Sequence, residues 1–103
     1  MQITLTPQRR DNRLNLERNG DSLILNGEVF DFTALPEGGT LPRDAVACDW
    51  LASDVTRQDG VLHLTLILPH GADAPQATLF PAPITLTGDG PVALPAYENE
   101  ATP

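Results

Sequence analysis

The chain predicts an all-β fold, a small antiparallel β-sandwich or partly open barrel of short hairpin-connected strands. Three observations predict it. Apolar residues recur with a period of two, as in Ser22-Leu23-Ile24-Leu25-Asn26 and in Val61-Leu62-His63-Leu64-Thr65-Leu66-Ile67-Leu68. Asn26-Gly27 and Asp59-Gly60 punctuate these runs, and such dipeptides are the strongest short-range hairpin signals. The runs follow one another closely, with no helical stretches between them to link parallel strands.

Ile3 and Leu5 alternate with Gln2, Thr4 and Thr6, which gives a first strand over 2–6. Pro7 is expected to end it, because proline cannot donate to a ladder. Leu14 and Leu16 alternate with Arg13, Asn15 and Glu17 in a second strand. Asn19-Gly20-Asp21 turns the chain into a third strand at 22–26, and Asn26-Gly27 turns it again into a fourth at 28–32. Residues 33–44 hold Pro36, Pro42 and Gly38-Gly39 and read as a surface loop. Residues 45–56 fit a strand or two, or one helical turn. The strand at 61–68 has an unmixed apolar face of Leu62, Leu64, Leu66 and Leu68, and its other face mixes Val61, His63, Thr65 and Ile67. Residues 69–75 read as loop, 76–80 as one turn before Pro81, and 83–87 as a last strand. A single domain over 1–90 follows, with a Pro-rich extended tail over 91–103.

Composition narrows the function classes. The 103 residues carry a formal charge of −8, and all six basic residues are arginine. Binding to a polyanion needs clustered cations, since neutralised phosphates supply most of the affinity. Here Arg9, Arg10 and Arg13 are close in sequence, with Asp11 among them. Nucleic acid and anionic membrane are therefore not expected as partners. Cys48 is the single cysteine, so no internal disulfide forms and a reducing compartment fits best. The opening Met1-Gln2-Ile3-Thr4 has neither the basic nor the apolar region of a signal peptide. No apolar run is long enough to span a bilayer.

Each candidate for chemistry has a plainer reading. His63 lies mid-strand on the mixed face, as a base, a metal ligand or a cross-strand neighbour. His70 follows in Pro69-His70-Gly71, too far from His63 for the i, i+2 spacing that aligns two ligands on one strand face. Ser22 and Ser53 are the only serines, and neither sits in a nucleophile elbow. Asp44, Asp49, Asp54 and Asp59 recur every five residues, which does not match a calcium loop. Cys48 reads as a small buried hydrophobe, and Trp50 as a core plug whose indole N–H bonds at the sheet margin. No catalytic residue, metal or cofactor is expected.

Two stretches carry a resemblance. One is Leu23-Ile24-Leu25-Asn26-Gly27-Glu28-Val29-Phe30-Asp31-Phe32 followed by Leu35-Pro36-Glu37-Gly38. The other is Leu64-Thr65-Leu66-Ile67-Leu68-Pro69-His70-Gly71 with Phe80-Pro81-Ala82-Pro83-Ile84 and Gly90-Pro91-Val92-Ala93-Leu94-Pro95. Together they resemble a family of short uncharacterised proteins encoded near tail genes of bacterial prophages. The resemblance covers most of the chain and brings no catalytic residues. It implies a setting in phage tail assembly or a virion, with the cytoplasm of the bacterial host as the other location.

The expected function is that of a non-catalytic structural or protein-interaction protein. Its partner is another protein, a second copy of this chain included. Trp50, Val92, Leu94 and Tyr97 are the expected interaction residues, the last three as an apolar strip along an extended segment. The alternative is a small binding module or enzyme using His63 or His70 with nearby carboxylates. Convergence of both histidines and two acids in one pocket would favour it.

Overall fold

The structure is a computed structural model that describes residues 1–97. The expected tail over 91–103 therefore falls partly outside the described residues, at 98–103. Among the described residues nine strands form two sheets. The first contains β1 (Gln2–Arg9), β5 (Thr40–Leu41), β6 (Val55–Gln58), β7 (Val61–His70) and β8 (Ile84–Thr85), in the order β5-β6-β7-β1-β8. The second contains β2 (Leu16–Asn19), β3 (Ser22–Leu25), β4 (Glu28–Asp31) and β9 (Gly90–Val92), in the order β4-β3-β2-β9. Neither closes into a barrel. Ile3, Leu5, Leu62, Leu64, Leu66 and Leu68 from one sheet share a core with Leu16, Leu23 and Leu25 from the other. Each such leucine contributes about 1.5–3 kcal/mol when fully buried. Leu14 is buried beside them, as the alternation predicts, while Phe30 is half-buried and Phe32 takes the deeper position.

The hairpins follow the turn dipeptides. Asn26 and Gly27 have φ of 51° and 84°, and Asp59 and Gly60 have 52° and 75°. Two consecutive positive φ angles match the right-handed twist of the flanking strands, and Asn, Asp and Gly reach them at least cost. The meander β2-β3-β4 is antiparallel throughout, with Leu25 opposite Glu28 and Leu23 opposite Phe30.

One pairing departs from the antiparallel expectation. β1 pairs with β7 in parallel, from Gln2 opposite His63 to Arg9 opposite His70. The apolar faces decide this register, because Ile3 and Leu5 then sit beside Leu64 and Leu66 over one core.

The same pairing corrects two strand ends. Pro7 does not terminate β1, and Pro69 lies inside β7 rather than in a loop. Met1 exchanges backbone hydrogen bonds with Leu86 on the β8 side. With a period of two, Pro7 presents its nitrogen to that same side, where β8 has already ended. Ile67 donates to the Trp50 carbonyl, so Pro69 faces that flank, beyond the last bond there. Neither proline removes a ladder hydrogen bond, which is why both are tolerated.

Residues 45–56 are a strand only at their end. Arg43–Ala45 forms a 3₁₀ turn, Leu51 makes a single bridge to Leu66, and β6 starts at Val55. Thr40 and Leu41, expected in a loop, pair with Thr56 and Val55. Gln76–Leu79 makes the one helical turn expected before Pro81.

Arg57 on β6 joins the two sheets. Its guanidinium pairs with Asp21 at 3.0 Å and donates to the Leu35 and Phe32 carbonyls at 2.7 and 3.2 Å. Its backbone exchanges hydrogen bonds with Gly38 and Gly39. The glycine pair is therefore held against β6.

Candidate functional site

The segment after β8 returns along the second sheet. Val92 pairs with Leu16 and Gly90 with Arg18, in an antiparallel ladder. The strand β9 thus runs across the expected boundary between residues 90 and 91. Beyond Val92 the ladder stops. Leu14 and Leu94, the next positions on either side, still pack toward the core. Their backbone N–H and C=O groups make no hydrogen bond among the described residues. The two segments part there and leave a groove of about 560 Å³. Leu14, Leu16, Leu68, Val92 and Leu94 give it an apolar lining, with Arg13, Asn15, Glu17 and Asn26 as polar members.

Four contacts hold the far wall open. The Thr78 hydroxyl, fully buried, donates to the Ala96 carbonyl at 2.5 Å. Gly71 N–H donates to the Tyr97 carbonyl at 2.9 Å. The Tyr97 hydroxyl donates to the Arg10 carbonyl. The Arg13 guanidinium lies 4.6 Å from the centre of the Tyr97 ring, within cation–π range. Through Tyr97, then, the segment docks on its own domain.

Val92, Leu94 and Tyr97 all line the groove. Trp50 does not. It is half-buried against the core, with the Arg10 guanidinium 5.0 Å from its ring centre. The expected bond to its indole N–H is not made among the described residues. Arg10 links the two aromatics, stacking on Trp50 while its carbonyl receives Tyr97. Arg13 is not among the expected interaction residues, and its one signal in the sequence is the closeness of Arg9, Arg10 and Arg13.

The two histidines are not brought together. They sit seven positions apart on a continuous strand, so they face opposite sides of it. His63 opens on a shallow polar recess with Gln2, Thr4, Ser53, Asp54, Thr56 and Thr65. Ser53 serves the backbone there, accepting from Thr65 N–H and donating to the Asp54 carbonyl, both at 2.8 Å. Asp54 accepts from Arg43 N–H at 2.8 Å. His70 Nδ1 lies 2.9 Å from the Gly71 carbonyl. Asp44, Asp49, Asp54 and Asp59 are all exposed. Among the described residues no three His, Cys, Asp or Glu side chains gather as a metal site. Cys48 is half-buried, and burial raises its thiol pKa above the ordinary value. No helix among the described residues is long and apolar enough to cross a membrane.

Fold and groove define a class: a two-sheet β-sandwich whose edge ladder opens into an apolar cleft. No family model, curated protein or solved structure matches this chain.

Proposed function

We propose that this is a non-catalytic protein-interaction protein that uses the groove between residues 13–17 and 91–97 as its contact surface. One observation carries the reading. A ladder that could have continued past Leu16 and Val92 stops, and the gap is lined by apolar side chains and unpaired backbone groups. Unpaired strand groups beside apolar pockets are what a bound segment uses in strand addition. The setting, phage tail assembly or a virion, rests on the sequence resemblance, and the partner is then another component of that assembly.

Co-expression with the products of the neighbouring genes, followed by size-exclusion chromatography, tests this. The wild-type chain should co-elute with one of them, and Leu94→Asp, confirmed as folded by circular dichroism, should not. Co-elution unaffected by Leu94→Asp, or with none of these products, would remove the groove from the function.

A further inference from the structure

Resting on that reading, we infer that the groove takes an extended peptide segment of acidic character, with one carboxylate seated on Arg13. Three features of the groove select this occupant. First, its walls are backbone as much as side chain. Leu14 and Leu94 face the gap with main-chain donors and acceptors that nothing else in the described chain uses. An extended peptide is the ligand that supplies a matching row. Second, the floor is apolar, from Leu16, Leu68 and Val92, and suits the alternate side chains of such a strand.

Third, one wall of the groove carries a cation, Arg13, that has no carboxylate partner among the described residues. The chain carries −8 overall, and of the three arginines within residues 9–13, Arg13 alone lines the groove. Arg18 donates to the Gly20 and Gly88 carbonyls, and Arg57 is saturated by Asp21 and carbonyls. Arg13 is exposed, and no carboxylate pairs with it among the described residues. Its guanidinium carbon lies over the Tyr97 ring, 4.6 Å from the centre, and none of its N–H groups donates to another group among the described residues. A planar fork of donors fixed in place is matched by a carboxylate, which accepts two parallel hydrogen bonds. Glu17 also lines the groove, opposite Pro91 where the strands are still paired, and it makes no ion pair with Arg13.

The carboxylate can belong to an Asp or Glu side chain or to a peptide C-terminus. A second copy of this chain is a weaker occupant, because two bodies of charge −8 repel each other.

A display library of random decapeptides, selected on the immobilised full chain, tests the inference. Enriched peptides should be extended-chain sequences rich in Asp or Glu with interspersed apolar residues. Resynthesised with a free or an amidated C-terminus, they separate the two carboxylate sources. Arg13→Ala should weaken the best peptide tenfold to about a hundredfold, the range of a charge-assisted hydrogen-bonded pair. Arg13→Lys should recover part of that loss, Arg43→Ala should leave affinity unchanged, and affinity should fall with added salt. No enrichment, enrichment of basic peptides, or affinity indifferent to Arg13→Ala overturns the inference. So does a chain that sediments as a dimer through this groove. Loss of partner co-elution in Leu94→Asp alongside any of the first three would leave the interaction reading standing without the acidic ligand.

Discussion

Two arginines mark two places where the sheets meet, and they are used in opposite ways. Arg57 is clamped. Its side chain is 13% exposed, and Asp21 and the carbonyls of Phe32 and Leu35 take up its donors. Arg13 lies across the face of Tyr97, exposed and without a carboxylate among the described residues. Near Arg57, backbone hydrogen bonds to Gly38 and Gly39 extend the sheet margin. Near Arg13, the ladder between β2 and β9 is abandoned after Leu16 and Val92. One junction is closed by satisfied polar groups and the other is propped apart by an aromatic ring. The residue type does not decide the role. The supply of acceptors around it does.

The largest effect should come from the core beneath both junctions. Leu64→Ala removes a buried side chain from β7 and should cost about 2–5 kcal/mol in denaturant unfolding. In a domain holding roughly 5–15 kcal/mol in total, that should also dull the difference between the two ends. A melting temperature within about a degree of wild type would mean the register is wrong.

The comparison itself is tested by making one substitution twice. Arg57→Ala strands Asp21 and two carbonyls at a half-buried site and should cost roughly 2–3 kcal/mol, discounted because Asp21 keeps some solvent. Arg57→Lys should recover little, since one ammonium cannot reach acceptors spread around a planar fork. Arg13→Ala should stay within about 0.5 kcal/mol of wild type. Equal losses at the two positions would erase the distinction.

Tyr97→Phe sharpens the open end. It keeps the ring under Arg13 and deletes the hydrogen bond to the Arg10 carbonyl, for a cost of about 1 kcal/mol. Hydrogen exchange at Gly71, whose N–H donates to the Tyr97 carbonyl, should quicken first. Unchanged exchange there would show that the hydroxyl does not hold the wall.

The smallest effect is at the edge strand β4. The hydroxyl and then the backbone N–H of Thr33 hold the Asp31 carboxyl below the usual carboxylate range. The native chain therefore binds that proton less readily than the unfolded one. The resulting stability is present at neutral pH and is lost as pH falls through the native value. Thr33→Ala should unfold slightly more easily than wild type at pH 7, and the gap should close in acid. A gap that persists below the carboxylate range would assign it to something other than this charge.

The hairpins were legible because their information is local. Asn26-Gly27 and Asp59-Gly60 dictate their own backbone angles, and the leucine alternation of β7 needs no partner to be read. The prolines mislead for the opposite reason. Whether Pro7 or Pro69 breaks a strand depends on which flank is paired, and β8 and the chain at Trp50 decide that. The parallel pairing of β1 with β7 was hidden because no turn connects the two. At the groove, Val92, Leu94 and Tyr97 could be named from residue type and spacing. Arg13 could not be placed there, because its position depends on where the returning segment passes.

That parallel pairing also sets an order of events. β1 precedes β7 in synthesis and is fully paired with it only after His70 has emerged, so β1 waits while the roughly sixty residues between the paired positions are made. The meander β2-β3-β4 closes short loops and can form on its own emergence, whereas joining β1 to β7 closes a loop spanning most of the chain. Assembly should then run from the middle outward, with the amides of Leu23 and Leu25 protected in pulse-labelling before that of Thr6, which faces β7. During that wait the nascent chain presents Ile3 and Leu5 as an uncovered strand, the point at which a chaperone or a misplaced neighbour would catch it.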